Sequence, residues 1–217
     1  MSGHGASLVD LPLRTFVHRL ASREPVPGGG AVAAVTLAQA AGLAAMVLEY
    51  TIGKSRFEAF RADNEAMLGR CRALVEESLR LAEMDAAGYA ALNQVLQLPK
   101  DHPERAARLG PAAVAASRPP ERMLEESVRL LEALPALVGH TTAMLRSDLA
   151  MAGILGRAAA ESAAWNVRAN LPLVAGNQAA ARAEGDAAIA AWLGRAAIAD
   201  ESFRAALAAP RDQGLPA

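Results

Sequence analysis

From Pro25 to Leu48 the chain carries no charged side chain. Such a stretch must either lie in a protein core or cross a bilayer, and its composition favours the core. Most of its residues are Ala and Gly, Thr36 and Gln39 sit inside it, and no aromatic belt flanks both ends. Ala33, Ala34, Ala38, Ala41, Gly42 and Ala45 would let neighbouring helices approach closely. The stretch begins Pro25-Val-Pro-Gly-Gly-Gly30, and two readings of this junction stay open. One is a tight turn, with Pro25 and Pro27 ending a preceding helix. The other is a cradle, in which glycines at positive φ turn several N–H groups outward. Together with the free donors and positive dipole end of the helix, they would hold a carboxylate, a phosphate or a polarised carbonyl.

The remainder reads as helix after helix, and no segment alternates with period two. Expected elements are a short amphipathic helix capped by Asp10, a glycine-started helix to about Tyr50, and a break at Thr51–Lys54 with Gly53 as cap. A long helix then runs from Ser55 to Gln97. Pro103, Pro111, Pro119 and Pro120 predict a shorter helical region over Glu104–Ser117, separate from one over Glu121–Val138 that Pro135 kinks. Two more helices fit Ala143–Val174 and Asn177–Leu207. The fold class is therefore all-α: a single-domain bundle of long antiparallel helices over residues 8–207, with a disordered tail at 208–217.

The chain has 217 residues, 53% of them hydrophobic, so it can bury a large core. A net charge of −1 and only 4% aromatic residues give no footprint for nucleic acid. The single cysteine excludes an intrachain disulfide. No basic-then-apolar leader opens the sequence, so a cytoplasmic protein that engages no membrane is the expectation.

Several polar groups sit where apolar ones belong. The long helix carries a stripe of Phe60, Asn64, Met67, Cys71, Leu74, Ser78, Leu81, Asp85, Gly88, Leu92 and Val95. Asp85 on that stripe is partly buried and needs a partner, or its pKa rises. It is either a structural cap or a site residue. On the helix from Ala143, the residues Arg146, Arg157, Glu161 and Arg168 share one arc, expected to be the solvated face. Asp148, Asn166, Asn170 and Ser162 lie opposite. Such a set lines a site, glues a subunit interface or hydrogen-bonds internally. His4, His18, His102 and His140 have no metal-ligand spacing, so no metal is expected. His140 is a weak base candidate. Lys54 and Lys100 lie on loops free to meet an anion, and Ser147 alone is no nucleophile signature.

Taken together, five stretches resemble the cyclodeaminase/cyclohydrolase family of folate enzymes. They are Glu24-Pro-Val-Pro-Gly-Gly-Gly30 with its Ala-rich helix, Thr51-Ile-Gly-Lys-Ser-Arg-Phe-Glu58, Asp85 with Tyr89 and Leu98-Pro-Lys100, Arg146-Ser-Asp-Leu149, and Asn166-Val-Arg-Ala-Asn-Leu171. They follow the family order across about Leu13–Leu173. The chain differs by Ala31 where serine is common, Thr141-Thr142 where Gly-Asn is usual, Leu145 where the bifunctional enzymes have cysteine, and a reduced lysine segment at Lys54–Phe57.

The resemblance implies a cyclodeaminase-like helical fold, a homodimer, a tetrahydrofolate derivative as substrate and no separate cofactor. With no room for a formiminotransferase domain, it points to hydrolysis of 5,10-methenyltetrahydrofolate to 10-formyltetrahydrofolate. The alternatives are formiminotetrahydrofolate cyclodeamination and a non-catalytic helical dimer that binds folate or another anion. Under this resemblance Asp148 is the proton-moving carboxylate, with Asp85 as its alternative or second member. Asn166 and Asn170 hold the pterin amide edge, and Ser147, next to Asp148, belongs to the substrate-binding set. Gly28, Gly29 and Gly30 offer N–H groups to a pterin oxygen or the glutamate tail, and Lys54 and Lys100 neutralise tail carboxylates.

Overall fold

The computed structural model describes residues 7–175 and 179–209, and among them there is no strand. Six α-helices carry the fold: α1 (Leu13–Leu20), α2 (Gly29–Glu49), α3 (Arg61–Leu96), α4 (Pro103–Ala133), α5 (Arg146–Ala175) and α6 (Ala179–Ala208). Of the expected disordered tail at 208–217, Ala208 instead ends α6, and the residues from 210 on lie outside the described residues.

Cross-helix contacts fix the directions. Gly30 meets Asp85 while Glu49 meets Arg72, so α2 and α3 are antiparallel. Gly29 faces Asn166 while Thr51 bonds Thr142, which sets α2 antiparallel to α5. Asn170 reaches Ala116 while Gly156 faces Leu131, and Arg168 pairs with Asp186 while Arg157 pairs with Asp200. Hence α4/α5 and α5/α6 are antiparallel too.

The uncharged helix α2 is the core helix, as its composition predicts. Leu37, Val47 and Leu48 are fully buried, and so are Ala31, Ala34, Ala40, Ala41 and Ala44. Alanine faces cost no side-chain entropy and let α3 and α5 press against α2. Past its end, Gly53 takes φ +87°, the left-handed turn that reverses the chain.

Four expectations change. Asp10 is not a cap: Pro12 occupies that position, and Asp10 ends a 3-10 turn, Leu8–Asp10. Glu83 of α3 anchors this turn by accepting from Ser7 Oγ and Val9 N–H. Ser55 does not cap α3 either, because Ser55–Phe60 is a 3-10 segment leading into it.

The third change is the largest. Helix α4 runs unbroken through Pro111, Pro119 and Pro120. A proline inside a helix removes the bond to the carbonyl four residues back. For Pro120 that carbonyl is Ala116, and it accepts instead from Asn170 Nδ2 of α5 at 3.4 Å. Pro119 and Pro120 are themselves buried, so packing and a borrowed donor keep the helix whole. Pro135 does act as expected, since α4 ends at Ala133 and a 3-10 turn, Leu134–Leu137, follows.

Finally, the charged arc of α5 is not a free solvent face. Arg157 binds Asp200 of α6 at 2.7 Å, and Arg204 reaches the same carboxylate at 3.0 Å. Arg146 donates to the carbonyl of Leu207. The arc is the seam on which α6 docks.

Candidate functional site

The glycines at the start of α2 answer a need for space. None takes a positive φ, since among the described residues only Gly53 and Gly139 do, and Gly28 is extended at φ −127°. What they avoid is a Cβ. At Gly30 one would stand 2.1 Å from Asp85 Oδ1, and at Gly29 3.7 Å from Asn166 Oδ1. The arriving chain is held by Arg19, whose Nε meets Glu24 at 2.8 Å and whose Nη2 donates to the Val26 carbonyl at 3.3 Å.

The result is a cavity of about 300 Å³ lined by Pro25, Val26, Gly28, Gly29, Gly30, Asp85, Tyr89, Ala116, Asn166, Ala169 and Asn170. That is the lower end of the range for small-molecule sites, enough for a compact ring system. Both readings of the junction therefore need revision. It is a cradle, but the carboxylate it receives is the chain's own: Ala31 N–H, in the first turn of α2, donates to Asp85. Burial pushes the Asp85 pKa up to about 6, against the downward pull of that N–H. A carboxyl titrating there can give or take a proton near neutrality.

The two asparagines contribute differently. Asn166 Nδ2 donates to the Ser162 carbonyl at 2.9 Å, which leaves Oδ1 as an acceptor toward Gly29. Asn170 gives one of its two amide N–H donors to the Ala116 carbonyl while still lining the cavity. Gly29 and Gly30 N–H lie in the first helical turn and have no intrahelical acceptor.

Six of the residues singled out in the sequence thus converge: Gly28, Gly29, Gly30, Asp85, Asn166 and Asn170. Asp148, Ser147, Lys54 and Lys100 do not line the cavity. Asp148 lies in the first turn of α5, about five turns and about 27 Å along the helix from Asn166. Lys54 stands past the opposite end of α2, and Lys100 is an exposed residue of the α3–α4 connection.

Around Lys54 is a second polar group that the sequence did not single out. Lys54 Nζ and Arg56 Nη2 both donate to Thr142 Oγ1, at 3.5 and 3.2 Å. Thr142 N–H is in turn held by the buried Thr51 Oγ1 at 3.0 Å. In the sequence Lys54 stood out only as a loop lysine free to meet an anion, and Thr142 only as part of the Thr141-Thr142 departure. His140 is stacked on Phe60 at 3.8 Å, a packing role away from the cavity. Tyr89, at the cavity wall, was noted only for its spacing from Asp85. Among the described residues no three His, Cys, Asp or Glu side chains group as a metal site.

An antiparallel all-α bundle whose glycine junction clasps a titratable carboxyl defines the class of protein. The chain belongs to the formiminotransferase-cyclodeaminase family, whose model matches residues 12–188. It is 35% identical over 174 residues to formimidoyltransferase-cyclodeaminase of Sus scrofa, covering 78% of this chain and 32% of that protein. The chain thus spans about a third of the length of that relative. It is 32% identical over 165 residues to methenyltetrahydrofolate cyclohydrolase of Methylorubrum extorquens, covering 73% of this chain and 78% of that enzyme. The same fold occurs in the solved formiminotetrahydrofolate cyclodeaminase of Thermotoga maritima, with a TM-score of 0.82 and 23% identity, over 91% of this chain and 96% of that one.

Proposed function

We propose that this protein is a folate one-carbon enzyme that hydrolyses 5,10-methenyltetrahydrofolate to 10-formyltetrahydrofolate. The observation that carries the reading is the Asp85 carboxyl, clasped at the glycine junction and titrating near pH 6 on the wall of a ring-sized cavity. The match over most of the length of the Methylorubrum extorquens cyclohydrolase supports it.

The reaction adds water to the cationic methenyl carbon and opens the adduct at N5. The group best suited to take the proton from water is Asp85. Its negative charge also favours the amidinium-like cation over the neutral product. Asn166 Oδ1 accepts from the pterin amino edge, and the Gly29 and Gly30 N–H groups donate to a ring oxygen. The adduct collapses by C–N5 cleavage, N5 takes one proton, and the formyl group stays on N10. Asp148, the first choice from the sequence, stands too far along α5 to share this role within one chain. The working form is a homodimer.

A second reading, cyclodeamination, is favoured by the names of the Sus scrofa and Thermotoga maritima relatives. There N10 attacks a 5-formimino carbon and ammonia leaves, and Asp85 would supply the proton the amine needs.

The test follows the absorbance of 5,10-methenyltetrahydrofolate at a pH where spontaneous hydrolysis is slow. Loss that scales with protein and vanishes in Asp85→Ala is expected. No acceleration, with a folate-dependent rise in Tm, would make this a binding protein, and the absence of both removes the folate reading.

A further inference from the structure

The wall of the Asp85 cavity holds one carboxyl group, one aromatic ring and no cationic side chain. Asp85 and Tyr89 are four residues apart on α3, so they share a face of the helix with about 6 Å of rise between them. Every other lining residue, from α2, α4, α5 and the Pro25–Val26 approach, is small, aliphatic or a neutral amide. Asp85 and Tyr89 are therefore the only titratable side chains that line this space from any of the elements around it.

The Tyr89 ring is unspent within its own chain. It is 46% exposed, and its hydroxyl has no hydrogen-bond partner among the described residues. Other aromatic faces are already taken. Arg56, Arg168 and Arg195 lie over Phe57, Trp165 and Trp192 at 4.6, 5.7 and 4.3 Å, and His140 stacks on Phe60. Among the described residues no cation and no second ring lies over Tyr89. An aromatic face attracts a cation within about 6 Å of its centroid, through the negative charge of the π cloud. A positive group in contact with the Asp85 carboxyl, one helical turn away, falls within that reach.

We propose that Tyr89 is a specificity-determining residue: its ring face, beside the Asp85 carboxyl, selects a cationic planar ligand over a neutral one of like skeleton. The assignment rests on the folate reading above, in which the bridge carbon is cationic in the substrate and neutral in the product. Tyr89 then holds the methenyl form and releases the formyl form, the direction hydrolysis needs. The two groups differ in one respect. The Asp85 charge is lost as pH falls through about 6, whereas the ring keeps its quadrupole whether or not that carboxyl is protonated. The preference for a cation thus has a titrating share and a constant share, and the constant share belongs to Tyr89.

The shares separate at about pH 5, where Asp85 is mostly neutral and hydrolysis by hydroxide or by the protein is slow. The probes are 5,10-methenyltetrahydrofolate, a cation, and 5-formyltetrahydrofolate, which has the same pterin and tail but a neutral one-carbon group. Calorimetric titration gives both affinities for wild type, Tyr89→Phe and Tyr89→Leu, with the methenyl absorbance followed to show that the ligand persists. Tyr89→Leu is expected to weaken methenyl binding about three- to tenfold and to leave 5-formyl binding within about twofold. Tyr89→Phe keeps the ring and should match wild type.

Equal loss of both ligands in Tyr89→Leu would make the ring a packing wall and overturns the proposal. So does an unchanged ratio of affinities, or a Tyr89→Phe that behaves like Tyr89→Leu, which would put the preference in the hydroxyl. If the wild type binds neither folate, it is the functional reading that fails. The cavity is then probed with 1-methylquinolinium against 2-methylquinoline under mildly alkaline conditions, where the second is uncharged. A preference for the cation that shrinks in Tyr89→Leu and survives in Tyr89→Phe upholds the role of the ring, and any other result overturns it.

Discussion

The Asp85 carboxyl group occupies the volume a side chain at position 30 would need: a Cβ on Gly30 would stand 2.1 Å from Oδ1 and 2.2 Å from Cγ. The clash is with the functional group itself, so relief requires moving it away from the Ala31 N–H. Gly30→Ala is expected to cost about 1–3 kcal/mol of stability and to abolish most turnover. Gly42→Ala, where nothing lies within 4 Å, should gain up to about 1 kcal/mol and leave turnover unchanged. Thermal melts and the methenyl absorbance assay on both variants check this.

Asp85 also predicts a pH dependence with a definite sign. Its pKa is about 6 in the folded chain, above the usual carboxylate range. Between about pH 4 and pH 6 the native state keeps a proton that the unfolded chain has released, so stability falls as pH rises through this window and then levels off. Asp85→Asn removes the penalty. Its melting temperature should equal that of wild type near pH 4 and exceed it above pH 7, by an amount equivalent to on the order of 1–3 kcal/mol. Turnover by the wild type should rise through pH 6 as the base ionises, and the variant should lack that limb.

How much of this was legible in the sequence differs by element. The absence of charge from Pro25 to Leu48 marks α2 as the core helix, because nothing but burial suits such a composition. The glycines were legible as special, but not the reason, since it is Asp85 on another helix that excludes a Cβ. The continuity of α4 was hidden for a similar cause. Proline is a local stop signal, and the Asn170 amide that offsets it is supplied by a different helix. For α5 the periodicity separated a charged arc from the polar set of Asp148, Ser162, Asn166 and Asn170 but gave the charged arc to solvent, where the structure gives it to α6. Only the pairing of Arg157 with a buried Asp200 settles that.

That ion pair makes its own prediction. The Asp200 side chain is 5% exposed while Arg157 is 44% exposed, so removing the arginine strands a carboxylate that retains only Arg204. Arg157→Ala should lose about 1–3 kcal/mol, a fall of several degrees in Tm, by loosening α6. Cavity chemistry should be unaffected, and a melt beside a turnover assay separates the two.

The Asn170–Ala116 bond can be isolated with a double-mutant cycle. Asn170→Ala should cost about 1 kcal/mol by leaving the carbonyl short of a donor. Adding Pro120→Ala gives Ala116 back an ordinary helical N–H, so the penalty of the asparagine change should shrink in that background. Chemical denaturation of the four proteins provides the test.

The same bond gives the site a mechanical connection. Helix α4 spans 31 residues, and at its proline pair one rung of its ladder is held by a side chain that also faces the cavity. A bound ring that takes the same Asn170 N–H competes with that rung. Occupancy is therefore converted into the stiffness of a helix reaching well beyond the cavity, and amide-exchange rates along α4 around Pro119 and Pro120 become a gauge of whether the site is filled.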